Sequence, residues 1–186
     1  MPNRSAAHNE RMPDTTRRLS HGDIFIMNEF PPGAHDFDWY FGTWHVHNRM
    51  LQKRLAGSQA WWEFPATDVV KPILGGLGNI DEIDFDRPER PLRGFNLRIF
   101  NRHTHLWSIY WVDDNGTALQ PPLIGAFENG IGTFFADDTF HGQAIRVRFI
   151  WDAITDNSAR WEQAFSIDHG AQWEVNWVMR FTRKRE

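Results

Sequence analysis

The C-terminal third of the chain constrains the fold most, because residues 143–182 alternate between apolar and polar side chains over three stretches. These stretches read QAIRVRFIWD from Gln143, ARWEQAFSI from Ala159 and QWEVNWVMRFT from Gln172. Polar turns separate them at residues 155–158 and 168–171. Successive side chains of a strand leave opposite faces, so a period of two between turns predicts an antiparallel meander.

One face of this meander is aromatic, and we expect it to point inward as packed core or as the lining of an apolar pocket. An earlier alternating stretch contributes two further tryptophans to the same face. The inward set is Trp107, Trp111, Phe149, Trp151, Trp161, Phe165, Trp173 and Trp177. Gln163 is the plainly polar residue among them. A buried amide needs a hydrogen-bond partner, so Gln163 either pairs with a protein group or orients a ligand.

The opposite face carries charges, which we interpret as a solvated ladder of cross-strand ion pairs, each contributing about 0.2–1 kcal/mol. Its members are Arg98, Arg146, Arg148, Arg160, Glu162, Glu174 and Arg180. The alternative turns the sheet over, so that Arg148 and Glu162 form a buried polar site. Burying so many charges is costly unless each is paired, and this cost favours the solvated ladder.

The rest of the chain predicts one domain preceded by a tail. Residues 1–20 are polar, basic and without period, which is typical of disorder. Residues 21–34 form a latch segment, and residues 35–186 form the folded domain. Within that domain Phe37, Tyr40 and Phe41 have helical spacing, so a short helix is expected before the first strand.

Short strands separated by turn signals continue through the middle of the chain and bring the total to nine or ten. Meander connectivity and the need to hide sheet edges favour an all-β fold, a single closed antiparallel up-and-down barrel. The short N-terminal helix would plug one end. A barrel of this strand number can enclose a small ligand.

Composition excludes several function classes. The 186 residues include no cysteine, which rules out disulfides and thiolate chemistry and favours the cytoplasm. A net charge of −4 provides no electrostatic footprint for nucleic acid. No apolar run approaches the ~20 residues that a membrane helix requires, so we expect no membrane partner. The ten tryptophans must fill a wide core or line a cavity.

Three segments in order carry a family resemblance: FDWYFGTWHV from Phe37, WSIYW from Trp107 and RWEQAFS from Arg160. Together they resemble bacterial DUF1579-type proteins of unknown function, which belong with the lipocalin-like, or calycin, barrels. The resemblance covers about residues 36–181. It implies a barrel with an internal cavity and transfers no catalytic residues.

Cofactors are not expected. Nitrobindin-type haem barrels are similar in shape, and the resemblance implies a histidine ligand near the C-terminal strand, but residues 172–182 contain none. The histidine pairs His45/His47 and His103/His105 each supply two of the three or four ligands that a stable metal site needs, and spacing marks no third.

Three functional hypotheses follow. The first is non-catalytic binding of a small apolar or aromatic molecule inside the barrel, in contact with Trp44, Trp107, Trp111, Phe149, Trp151, Trp161, Gln163, Phe165 and Trp177. The alternative is a small-molecule enzyme with polar residues at the pocket, for which the candidates are Tyr110, Arg148, Glu162 and His45. The third is an assembly role, in which exposed tryptophans such as Trp62 form a homodimer patch.

Overall fold

The structure is a computed structural model that describes residues 30–116 and 118–185. The chain divides into Met1–Phe30 and Pro31–Glu186, and the second unit holds the strands. The predicted tail, residues 1–20, lies outside the described residues, as does most of the predicted latch at 21–34.

The described residues of this unit form ten strands, within the nine or ten that the sequence predicts. They are β1 Gly42–Leu51, β2 Trp61–Ile73, β3 Gly78–Phe85, β4 Leu92–Asn101, β5 Leu106–Asp113, β6 Leu123–Glu128, β7 Ile131–Phe140, β8 Gln143–Asp152, β9 Ser158–Ser166 and β10 Glu174–Arg183. Each strand pairs antiparallel with the next, and β1 pairs with β10, so the sheet closes on itself. The predicted all-β up-and-down barrel is confirmed.

Tight turns set the pairing of the strands in the middle of the chain. Asn129 and Gly130 join β6 to β7 with φ angles of 51° and 78°. His141 and Gly142 join β7 to β8 with φ angles of 50° and 83°. Two consecutive residues with positive φ form the turn whose twist matches that of the flanking strands, and Asn-Gly is its strongest sequence signal.

The segment before β1 closes one end of the barrel. Its described part, residues 30–41, includes the 3-10 turn Asp38–Tyr40. Just before this turn, the Phe37 ring packs edge-on against Trp107 and Phe127, with ring centroids 5.0 and 4.9 Å away. The indole of Trp107 in turn donates a hydrogen bond of 2.9 Å to the carbonyl of Gly33. Aromatic packing and this hydrogen bond from a side chain to the backbone thus fix the segment across this end of the barrel.

Arg183, at the end of β10, ties the same end to the start of β1. Its guanidinium lies 4.1 Å from the Trp44 ring centroid and donates hydrogen bonds of 2.6 Å to the carbonyls of Phe41 and Asp156. Gly42 makes room for this side chain, because a Cβ there would come within 2.9 Å of Arg183 Nη1, and its φ of 117° also favours glycine.

The longer connections that the structure describes in full, at residues 52–60, 86–91 and 167–173, surround the other end of the barrel. The second 3-10 turn, Leu74–Gly76, links β2 to β3 at the closed end. None of the helices in the described ranges has the length and apolar character needed to cross a membrane.

Candidate functional site: the barrel cavity

The barrel encloses a cavity of about 420 Å³ that reaches the end opposite the Asp38–Tyr40 turn. Aromatic side chains make up a third of its lining, and the rest are aliphatic, polar or charged. The aromatic lining residues are Tyr40, Phe85, Trp111, Phe140, Phe149, Trp151, Trp161, Phe165, Trp177 and Phe181. A concave site of this size, with apolar rings and a few polar groups, is suited to one small organic molecule.

Strands β8 and β9 have the predicted orientation, with their aromatic faces inward. Trp151 lies opposite Trp161 in the strand register, and Phe149 lies opposite Gln163. The Phe149 and Trp161 rings meet at 4.7 Å between centroids, and the Trp161 and Trp177 rings meet at 5.8 Å and nearly at right angles. Edge-to-face contacts of this kind hold the wall in one arrangement.

Seven of the nine predicted ligand contacts line the cavity: Trp111, Phe149, Trp151, Trp161, Gln163, Phe165 and Trp177. Trp44 and Trp107 are fully buried in the packed closed end instead. There the Trp44 indole donates a hydrogen bond of 2.7 Å to the carbonyl of Tyr40. That the seven lining residues contact a ligand stays a prediction.

Gly94 shapes the wall in a way that the sequence analysis missed. A Cβ at this position would lie 1.9 Å from a ring carbon of Trp111, so the indole lies directly over the backbone of β4. Only glycine permits this arrangement of the ring. A glycine inside a strand often marks such a close approach, and that was the available signal.

A β-bulge in β10 changes the predicted faces of its first residues. The register against β9 shifts between Val175 and Trp177, which leaves Asn176 as the extra residue. Asn176 was expected on the outer face, but it is fully buried, and its Oδ1 accepts a hydrogen bond of 2.8 Å from Gln163 Nε2. The partner that Gln163 needs is therefore a protein amide.

The same bulge makes the predictions for Glu174 and Trp173 wrong. Glu174 lies opposite the inward-facing Phe165 in the register, and its Oε1 accepts a hydrogen bond of 2.7 Å from Leu55 N. Trp173 stands outside the barrel, beneath the guanidinium of Arg148 at 4.5 Å. A shift of one residue inverts every side chain before it, so strict alternation fails upstream of the bulge.

Arg98 corrects a second prediction, since it points inward and is only 3% exposed. Its Nη1 donates hydrogen bonds to the carboxylate of Asp81 and, at 3.0 Å, to Asn79 Oδ1. The other carboxylate oxygen of Asp81 accepts a hydrogen bond of 2.7 Å from Asn96. A buried charge is tolerated where it is paired and hydrogen-bonded in this way.

A second acid, Asp68, lies fully buried beside this group, and the hydroxyl of Tyr40 donates a hydrogen bond to it. Burial raises the pKa of Asp68 well above its usual value, and the charge of Asp81 raises it further, while Tyr40 and Arg98 oppose the shift. Burial also raises the pKa of Tyr40. Desolvation disfavours the charged form of each group.

The residues that the enzymatic hypothesis named lie elsewhere. Tyr110 pairs with Leu97 on the outer face of the barrel. Arg148 and Glu162 form a cross-strand ion pair of 3.4 Å outside the cavity lining, as the ladder interpretation expects, but Glu162 is buried, so the pair is not solvated as predicted. His45 lines a shallow groove outside the barrel. None of these candidates borders the cavity.

The assembly hypothesis depends on exposed tryptophans. Trp62 is partly exposed and lies opposite Met50 in the strand register. Its neighbour Trp61 lies on the outer face, 4.7 Å beneath the guanidinium of Arg49. A homodimer stays a prediction, and the molar mass in solution is the measurement that tests it.

A stable metal site needs three or four ligands close together. Across residues 30–116 and 118–185, no three histidine, aspartate or glutamate side chains are grouped so that they could hold a metal ion. His47 Nε2 lies 3.3 Å from a carboxylate oxygen of Glu63 on the outer surface. The expectation of no cofactor stays a prediction.

Comparison with known proteins gives structural neighbours alone. No protein-family model matches the chain, and no curated protein matches it in sequence. The S-type phycobiliprotein lyase CPES from Guillardia theta has a TM-score of 0.56 at 8% identity over 81% of this chain and 91% of its own. Rv2717c from M. tuberculosis has a TM-score of 0.59 at 9% identity over 84% of this chain and 100% of its own. These neighbours are lipocalin-like barrels, and at such low identity they establish the fold of this chain and leave its function open.

Proposed function

We propose that the barrel binds one small, largely apolar or aromatic molecule in its cavity and carries out no chemistry on it. The observation that carries this proposal is the cavity of about 420 Å³, closed at one end, with ten aromatic side chains in its lining. Such rings offer a ligand a large apolar contact area and edge-to-face packing.

A specific observation also favours catalysis as a second candidate. Tyr40, Asp81 and Arg98 border the cavity, and a group of titratable side chains is a common feature of active sites. One structural neighbour is named a lyase, so the fold is compatible with an enzyme. In this chain, however, Arg98 pairs with Asp81, and the Tyr40 hydroxyl donates to Asp68. Asp68 Oδ1 and Arg98 Nε have no hydrogen-bond partner among the described residues. Because the charge of Arg98 is nevertheless paired with Asp81 inside the protein, we favour a structural role for the group.

Energy transfer from tryptophan to a neutral probe tests the binding proposal. N-phenyl-1-naphthylamine absorbs where indole emits, so a molecule held against the Trp161–Trp177 contact should quench tryptophan and fluoresce itself. We expect saturable binding to one site. Trp161→Phe should reduce the transfer and weaken binding, because this ring lines the cavity.

Trp61→Phe is the matched control, since Trp61 lies on the outer face beneath Arg49 and should leave the dissociation constant unchanged. Trp161→Ala should also lower the free energy of unfolding by ~3–5 kcal/mol, because a large buried ring is deleted. Probe binding that is absent, or equally affected by the Trp61 and Trp161 variants, would contradict the proposal.

A further inference from the structure

We infer that the ligand is an aromatic acid whose carboxylate is bound at the mouth of the cavity by Arg54. The inference rests on the proposed function, because it assigns the chemical class of the molecule that the same cavity would hold. Arg54 belongs to the loop after β1 and is one of the residues that line the cavity.

The position of Arg54 places a cation against the aromatic wall at the open end. Its guanidinium carbon lies 5.7 Å from the ring centroid of Phe165 and 5.8 Å from that of Trp177. Both rings also border the cavity. A ligand whose body packs against these rings therefore has its outer end within reach of the guanidinium.

The hydrogen-bonding capacity of Arg54 is largely unused by the protein. A guanidinium has several N–H donors, and in Arg54 one of them meets Met50 Sδ, a weak acceptor, at 3.1 Å. No described carboxylate lies within ion-pair distance of Arg54, whereas Arg98 and Arg148 each have one such partner and Arg160 has two.

The electrostatic surroundings of Arg54 favour an incoming anion. Burial lowers the pKa of Arg54 to about 10, with a further contribution from the charge of Arg87, while Glu174 opposes the shift. The guanidinium is still protonated at neutral pH, so its positive charge is partly desolvated and lies near a second cation. Arg87 also lines the cavity and adds a second cation at this rim. An anion placed between them would relieve the repulsion.

Acidic residues on the opposite part of the rim orient such a ligand. Asp113 and Asp138 both line the cavity. Their carboxylates accept backbone hydrogen bonds, from Gly116 N at 3.0 Å and from Thr139 N at 2.7 Å. These negative charges disfavour a carboxylate on their side, so they direct it towards Arg54.

A carboxylate is the anion that fits best, because its two oxygens match the planar fork of a guanidinium. The cavity bordered by Trp111, Trp161 and Trp177 would hold a flat ring system behind it.

Isothermal titration calorimetry with two probes of the same shape tests the inference. The probes are 2-naphthylacetate and its neutral counterpart 2-naphthylacetamide. We expect the native protein to bind the carboxylate at least about tenfold more tightly than the amide, because a hydrogen bond to a charged group contributes more than a neutral one. Added salt should reduce this ratio.

Variants of Arg54 test whether this residue causes the preference for the carboxylate over the amide. Arg54→Met should bring the ratio of the two affinities close to one, and Arg54→Lys should retain part of it, since the charge remains without the fork. Lys53→Met is the matched control, because Lys53 is the exposed neighbour and lies outside the cavity lining. It should leave the ratio unchanged. Thermal melting of each variant verifies that it folds, and if Arg54→Met does not, the lysine variant and the salt dependence decide.

Three other results would contradict the inference or the proposed function. Equal affinities in the native protein, or an unchanged ratio in Arg54→Met, would overturn the inference and leave the binding proposal standing. Tighter binding of 2-naphthyl phosphate than of 2-naphthylacetate would overturn the assignment of a carboxylate. If neither naphthyl probe nor N-phenyl-1-naphthylamine binds, the proposed function itself fails.

Discussion

Gln163 and Asn176 form a pair of buried amides inside the barrel, with Gln163 Nε2 donating to Asn176 Oδ1 at 2.8 Å. The pair exists because the bulge between Val175 and Trp177 turns Asn176 inward. Without the bulge, alternation would turn Asn176 outward and leave the buried amide of Gln163 without this acceptor. The hydrogen bond therefore helps to specify the register that the bulge requires.

Replacing Asn176 by leucine should lower the free energy of unfolding by about 1–3 kcal/mol, because the buried amide of Gln163 loses its acceptor. Urea denaturation measures the change. The double variant Gln163→Leu, Asn176→Leu should recover part of the loss, since neither amide is then left unpaired. Additive effects of the two single variants would show that the pair contributes nothing specific.

Asp68 should make stability depend on pH in a defined direction. Burial raises its pKa in the folded chain, so between the unfolded value, about 4, and the folded value the native state binds more protons than the unfolded state. The free energy of unfolding should then fall as pH rises through this window and level off above it. Asp68→Asn should remove this contribution.

Urea denaturation at a series of pH values, on native protein and variant, measures the effect as a difference between two curves. Asp86→Asn is the control, because Asp86 is exposed. Parallel curves for the native protein and Asp68→Asn would contradict the prediction.

Where a strand keeps a strict period of two, the alternation of apolar and polar residues was sufficient to predict which face points inward. In β8 and β9 the predicted inward residues Trp151 and Trp161 are inside, because no irregularity interrupts either strand. The bulge at Asn176 was not predictable in the same way. A polar residue at an apparently outward position breaks no pattern, so the sequence shows no sign of an inserted residue.

The buried ion pair of Arg98 and Asp81 was not predicted for a different reason. Arg98 was expected on the outer face because burying an isolated charge is costly. That cost is offset only where an oppositely charged partner lies beside the charge. The partner, Asp81, lies on the neighbouring strand and reaches Arg98 through the register of β3 against β4. Hydropathy along one strand carries no information about such pairing. The position of Arg54 at the cavity was not predicted either, because Arg54 lies in a loop, where no periodicity indicates which way a side chain points.

Gly94→Ala should disturb the cavity wall. The added methyl would overlap the ring of Trp111, so the indole must move, at a cost of about 1–3 kcal/mol from overpacking. The displaced ring should also weaken binding of N-phenyl-1-naphthylamine. Adding Trp111→Phe should restore part of the lost stability, because a smaller ring leaves space for the methyl group. If the second change restores none, the overlap is not the cause of the loss.

Arg183→Lys should loosen the closed end of the barrel. The arginine fork reaches the carbonyls of Phe41 and Asp156, both at 2.6 Å, while it stacks over Trp44. A lysine ammonium has no planar fork, so it cannot keep this set of bonds together with the stacking. The expected loss is on the order of 2 kcal/mol, measured by urea denaturation. Arg180→Lys, in the same strand but exposed, is the matched control and should change stability little. Arg183 joins the end of the last strand to the start of the first, so its bonds reinforce the closure of the sheet. Equal stability of the two lysine variants would show that strand pairing between β1 and β10 is sufficient to close the barrel without these bonds.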